Sequence, residues 1–222
     1  MGQRPTAGIK AWTASYMAWV RQVHFTQVAR EATMLDYLHE VDHMGERVKG
    51  LEQAITEAVK LATPAVREVV KGLQALRGIA EISAVTIMAE LGSIARFDTP
   101  RQLMGYSGAV PTENSSGNRT QRGSIPKSGD AHLRRIVVEA AWSYRLRPAI
   151  GPRQRKRQEG VPEPIKEIAW KAQVRLTKRH ARLAAAGKHQ RKIVTAVGRE
   201  LLGFIWAIGI KAEADSKLRM AA

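Results

Sequence analysis

The sequence predicts an all-α protein, and three observations carry that prediction. Trp12, Tyr16 and Trp19 stand at i, i+4 and i+7, so one helical face in residues 8–25 is aromatic. From Val28 to Leu61 the residues Leu35, Leu38, Val41, Val48, Leu51, Ile55 and Val59 recur at three and four with charges between them. In the second half, segments such as DAHLRRIVVEAAWSYRL put Leu133, Ile136, Val137, Ala140 and Ala141 on one side of a helix.

Each element follows in order. The aromatic face of 8–25 needs a partner. The 28–61 stretch is a long coiled-coil-like helix, interrupted at Gly45, whose seam is too narrow for a core; it implies a homo-oligomer formed through that helix. Thr63-Pro64 breaks and restarts the chain. Residues 73–92 read as helix, tight turn at Gly78-Ile79, and second helix. This resembles a helix-hairpin-helix, whose turn offers backbone N–H groups to phosphate, but Ala80 stands where that motif has a second glycine; an ordinary αα-corner fits equally. Asp98 or Thr99 caps a short helix with Pro100 in its first turn, running through Met104. Asp130 caps the next. Residues 147–164, rich in Pro, Gly and Arg, are expected to form a loop, two helices follow up to Gly187 and from 190 to 210, and the last ten residues are expected to be a tail.

Composition bounds the function. At 44% hydrophobic residues the chain can bury a core, and with no cysteine it has neither a disulfide framework nor a thiolate metal site, which fits a cytoplasmic location. The longest apolar run, residues 201–210, is about half of the ~20 residues a membrane helix needs, so no membrane association is expected. A myristoylation-like start through Thr6 is too loosely specified to count. Charge is more telling. Residues 1–115 hold 12 Lys/Arg and 12 Asp/Glu, while residues 116–222 hold 24 and 8, so the whole net charge of +16 lies in the second half. A block of that sign neutralises phosphates by counterion release, and a nucleic acid is the expected partner.

Between Pro111 and Asp130 the helical pattern gives way to hydroxyls, glycines and cations. A surface turn, an anion cradle, and a serine nucleophile among charge-stabilising cations all fit that composition. Motifs running in order through the same region are more specific: L-x-x-x-x-G-I from Leu73, A-E-L-G from Ala89, R-F at Arg96, Y-x-G-x-x-P from Tyr106 and S-S-G from Ser115. I-x-K-x-G-D from Ile125, L-R-R from Leu133, E-A-A-W from Glu139, IAWKAQ from Ile168 and the Gly187-Lys188 turn continue the series. Over roughly residues 70–210 the chain resembles the C-terminal domain of insertion-sequence transposases of the IS-one-ten class, relatives of the pilin gene invertase.

The resemblance implies a DNA strand-exchange domain whose nucleophile is Ser116, with adjacent Ser115 as the alternative, forming a phosphoserine link to DNA. Arg119, Arg122, Lys127, Arg134 and Arg135 become phosphate contacts, and Gly78 joins them through the hairpin. No base for the serine stands out; His132 is one option and a solvent-facing helix residue the other. The resemblance further implies a structured guide RNA as partner and an acidic, Mg²⁺-binding nuclease-like domain ahead of this region. Residues 1–70 show no apolar strand run bearing an Asp, so no cofactor is expected in this chain and full recombination by this chain alone is not expected. The expected layout is a linker helix at 1–27, a dimerisation helix at 28–70, the serine transposase domain at 71–212 and a tail at 213–222.

Two other function classes stay open: a noncatalytic nucleic-acid-binding or regulatory fragment, and a structural oligomer that ignores DNA. A zinc site is not expected. His39-Glu40-Val41-Asp42-His43 satisfies H-E-x-x-H, but it lies in the coiled-coil-like helix with no third ligand, so a solvated helix is expected there and no metal.

Overall fold

The computed structural model describes residues 4–5, 8–113, 116, 123, 125–126 and 128–221. Among them are nine α-helices and two short 3-10 turns, and no strand, so the fold is all-α. The chain divides into two compact units, Met1–Ala54 and Ile55–Ala222.

In the first unit, α1 (Ala14–Val20) begins at Thr13, whose side chain accepts from the Tyr16 N–H. It is shorter than the expected 8–25 because Trp12, at φ 63°, leaves the helical region. The aromatic face forms nonetheless: the Tyr16 ring lies 6.5 Å from Trp12 and 5.6 Å from Trp19. α2 (Val28–Leu61), whose residues from Ile55 on belong to the second unit, opens on Glu31, whose carboxylate accepts from His24 Nδ1 at 2.9 Å and the Phe25 N–H at 2.7 Å. Those two bonds hold Glu31 below the ordinary carboxylate range. Gly45 does not interrupt α2, as a lone glycine costs a helix only about 1 kcal/mol against alanine. No residue of α2 is buried, and Leu35, Val41, Val48 and Leu51 are exposed.

The second unit is built around α9 (Gln190–Ala221). Against it pack α8 (Glu163–Ala185), α3 (Pro64–Leu73), α6 (Ala131–Ala141) and α5 (Pro100–Tyr106). Val197, Leu201, Leu202, Ile205 and Ile208 are fully buried, each contributing roughly 1.5–3 kcal/mol of burial. By length and composition α9 is apolar enough to cross a membrane, but half of its most apolar window is covered by these neighbours. The helix also corrects the expected tail. It continues to Ala221 because Glu213 is a buried anchor, accepting from Ser93 Oγ (3.1 Å), the Ile94 N–H (2.7 Å) and the Ala95 N–H (3.1 Å) at the 3-10 turn Ile94–Arg96.

The caps fall where the sequence places them. Thr63 caps α3 with Pro64 in its first turn, Thr99 and Gln102 form a reciprocal capping box on α5, and Asp130 accepts from the Leu133 N–H at 2.8 Å to start α6. α8 ends before Gly187, which takes φ 65°. Residues 147–164 differ from the expected loop: Pro152–Gln158 form a helix, α7, because Gln154 and Gln158 are buried against the body.

Between α3 and α4 (Glu81–Leu91), Gly78 has φ 84°, and a Cβ there would stand 2.6 Å from the Ala140 carbonyl oxygen and 2.8 Å from Ser143 Oγ. The corner is thus pressed onto the end of α6 in a conformation that L side chains avoid. Gly78→Ala is expected to lower unfolding stability by about 2–4 kcal/mol in a denaturant titration, from strain and clash together.

Candidate nucleic-acid interface

The loop predicted to carry chemistry rises from a locked base. At its two ends Gly108 (φ 66°) and Gly129 (φ 87°) meet back to back: a Cβ on Gly129 would lie 2.5 Å from the Gly108 nitrogen. Only paired glycines permit two backbones to cross so closely. The Asp130 N–H donates to the Tyr106 carbonyl at 3.1 Å, and Arg134 Nη1 donates to the Ser107 carbonyl at 3.0 Å and the Ser128 carbonyl at 2.9 Å. Higher up, the Gly123 N–H donates to the Thr112 carbonyl at 2.7 Å. Ser116 is exposed within the segment so closed.

Beside this loop lies an open cleft of about 800 Å³, walled on one side by Pro111, Gly123 and Ile125 and on the other by α8 and α9. Its cations are Arg101, Arg175, Arg179, Arg191, Lys192 and Arg199, and its one acid is Glu200. Glu200 pairs with Arg175 Nε at 3.0 Å and lies 3.1 Å from Arg179 Nε, the latter out of line for a hydrogen bond. The other four cations have no ion-pair partner among the described residues, so the cleft carries a large uncompensated positive charge. On α8 His180 is buried; desolvation, helped by Arg145, holds its pKa below the ordinary histidine value, and its Nε2 lies 2.9 Å from Gln190 Nε2.

Comparison with known proteins bears on the same region. Residues 70–156 match the model of the transposase IS116/IS110/IS902 family. Over those residues the chain is similar to transposases of that family. Along its length it is 42% identical over 205 residues to a protein of Sinorhizobium fredii described as a transposase, y4qE, covering 92% of this chain and 49% of that protein. It is 28% identical over 177 residues to the transposase for insertion sequence element IS1533 of Leptospira borgpetersenii, covering 78% of this chain and 50% of that one. The transposase for insertion sequence element IS1111A of Coxiella burnetii matches at 33% over 69 residues, 31% of this chain and 19% of its own. The chain thus spans about half the length of the two relatives that match most of it.

The residues singled out from sequence fare differently. Ser115, Arg119, Arg122 and Lys127 lie outside the described residues. Arg134 is turned inward, holding the loop's ends rather than facing solvent, and Gly78 faces α6. Arg135 is exposed with no ion-pair partner among the described residues. His132, at the loop's exit, is mostly exposed and held through Nδ1 by Glu90 Oε1 at 2.9 Å, a carboxylate that orients the imidazole. Sequence reasoning missed the cleft's arginines because they come from three separate helices, with α5 distant in the chain from the consecutive α8 and α9. The signal was there only as an excess: α8 and the start of α9 carry cations on a face whose apolar partners lie opposite. Among the described residues no group of three acidic or histidine side chains is placed to hold a metal, and His39, Glu40 and His43 stand exposed on α2.

Proposed function

We propose that this chain acts in DNA transposition as the serine-nucleophile domain of an insertion-sequence transposase, with DNA in the cationic cleft and Ser116 as the attacking residue. The observation that carries the reading is the juxtaposition of two features: an exposed serine in a loop with a locked base, and a cleft of six cations and one acid walled by residues on both sides of that serine. In this reading Ser116 Oγ forms a bond to a backbone phosphorus, one P–O ester bond breaks, the departing sugar oxygen takes a proton, and the serine's proton passes to a base. The imidazole that the loop's exit supplies for that purpose is His132. The cleft's arginines offset the charge that builds on the phosphoryl oxygens. Self-association through residues 28–61 belongs to the same reading, supported by the exposed apolar side chains of α2. A structured guide RNA would be a further partner.

The test is covalent capture: the full chain, given insertion-sequence DNA, retains a labelled strand through denaturing electrophoresis. Reversible binding with no retained strand would turn the reading to a noncatalytic DNA-binding protein. The cleft itself gives two expectations of opposite sign. Replacing Arg191, Lys192 and Arg199 by glutamine is expected to weaken duplex binding about 10- to 100-fold near physiological salt. Glu200→Gln frees Arg175 and Arg179 and is expected to tighten it about three- to tenfold, an effect that fades as salt rises. Fluorescence anisotropy measures both.

A further inference from the structure

We infer that α7 is a second nucleic-acid contact, in which Arg153, Arg155 and Lys156 hold a phosphodiester backbone. The inference concerns a surface separate from the cleft and stands whether or not Ser116 forms a bond to DNA.

Helix α7 has the sequence PRQRKRQ, with glutamines at 154 and 158, one turn apart, and cations between them. Both glutamines are buried, and both Nε2 groups donate to one atom, the Ala75 carbonyl oxygen, at 3.0 and 3.1 Å. Gln173 completes the anchor, its Oε1 3.4 Å from Gln154 Nε2 and its Nε2 donating to the Ala149 carbonyl at 2.7 Å. Arg157 donates from Nε to the Gln74 carbonyl at 3.3 Å. Burying amides is favourable only when each finds a partner, and apolar residues would have packed with less demand on geometry. What directed hydrogen bonds add is a fixed rotation of the helix about its axis. That rotation leaves Arg153, Arg155 and Lys156 exposed, with no ion-pair partner among the described residues.

The bland alternative is a solvated helix face, and the charges argue against it. Cations in the last turn offset the helix dipole by about 0.3–1 kcal/mol each, but Arg153 and Lys156 stand at i, i+3 as like charges, which destabilises an isolated helix. The nearest acid in sequence, Glu159 at the helix's C-cap, forms no ion pair with any of the three among the described residues. A rigid ridge of unpaired cations that the fold does not need has its counterpart in an external polyanion. Seven residues extend about 10 Å, the span of about three phosphates along one strand.

The test compares the full chain with a variant carrying Arg153→Gln, Arg155→Gln and Lys156→Gln. Two fluorescent probes are used, a duplex DNA and an RNA hairpin of about 30 base pairs, titrated from about 50 to 300 mM salt. The variant is expected to bind at least one probe about 10- to 100-fold more weakly, with the slope of log affinity against log salt flattened by about 2–3. Loss with one probe alone assigns the ridge to that nucleic acid, and loss with both assigns it to the shared backbone. A control removing the same charge at the exposed Arg4, Lys10 and Lys217 is expected to stay within about threefold of the parent, and Arg153→Lys with Arg155→Lys to keep the slope. Unchanged binding of both probes by the glutamine variant, or an equal loss in the control, overturns the inference.

Discussion

Ser116→Ala is expected to abolish covalent capture of DNA outright, a loss of more than about a thousandfold, while reversible binding stays within about twofold of the parent. The asymmetry is the point. Ser116 is exposed and its side chain supports no packing, so the substitution leaves the fold and the cleft intact. Only the oxygen that would bond to phosphorus is removed. Ser115→Ala, one residue away, is expected to retain capture; if it is the variant that loses the adduct, the nucleophile is Ser115. Should both variants capture DNA as the parent does, neither serine is the attacking group. Gel retention under denaturing conditions reads the adduct, and anisotropy reads binding on the same samples.

Glu213→Ala is expected to destabilise the second unit by about 3–5 kcal/mol, read as a fall in the denaturant midpoint with unchanged slope. The residue is 7% exposed, and its carboxylate satisfies two backbone N–H groups and one hydroxyl at the 3-10 turn that leads toward α5. Truncation leaves the Ile94 and Ala95 donors without their partner, and an unsatisfied buried donor costs about 1–3 kcal/mol. Glu213→Gln keeps an acceptor oxygen and is expected to recover about half of the loss. A surface role for this residue would predict less than about 0.5 kcal/mol for either change.

Much of the fold was legible because its signals are local. Thr63-Pro64, Thr99-Pro100 and Asp130 each mark a helix start through one side chain and the backbone within three residues of it, and the structure caps all three helices there. What escaped depends on distance. The Pro, Gly and Arg content of 147–164 reads as loop until Gln154 and Gln158 find the Ala75 carbonyl, 79 and 83 positions earlier, and α9 reads as ending near 210 until Glu213 finds Ile94. The interface divides the same way. The loop announces itself by composition, whereas Arg101, Arg175 and Arg191 converge only once α5, α8 and α9 are packed. Arg134 shows the converse: its place in L-R-R marks it as significant, but geometry assigns it to two carbonyls of its own chain.

The crossed glycines at 108 and 129, clamped by Arg134, make the intervening stretch a cassette. None of its described residues from Pro111 to Pro126 belongs to the buried core, so a substitution at those positions removes no core packing from the helices. Selection on recognition and selection on folding therefore act on different residues, and a lineage can drift in what it recognises while the scaffold stays the same.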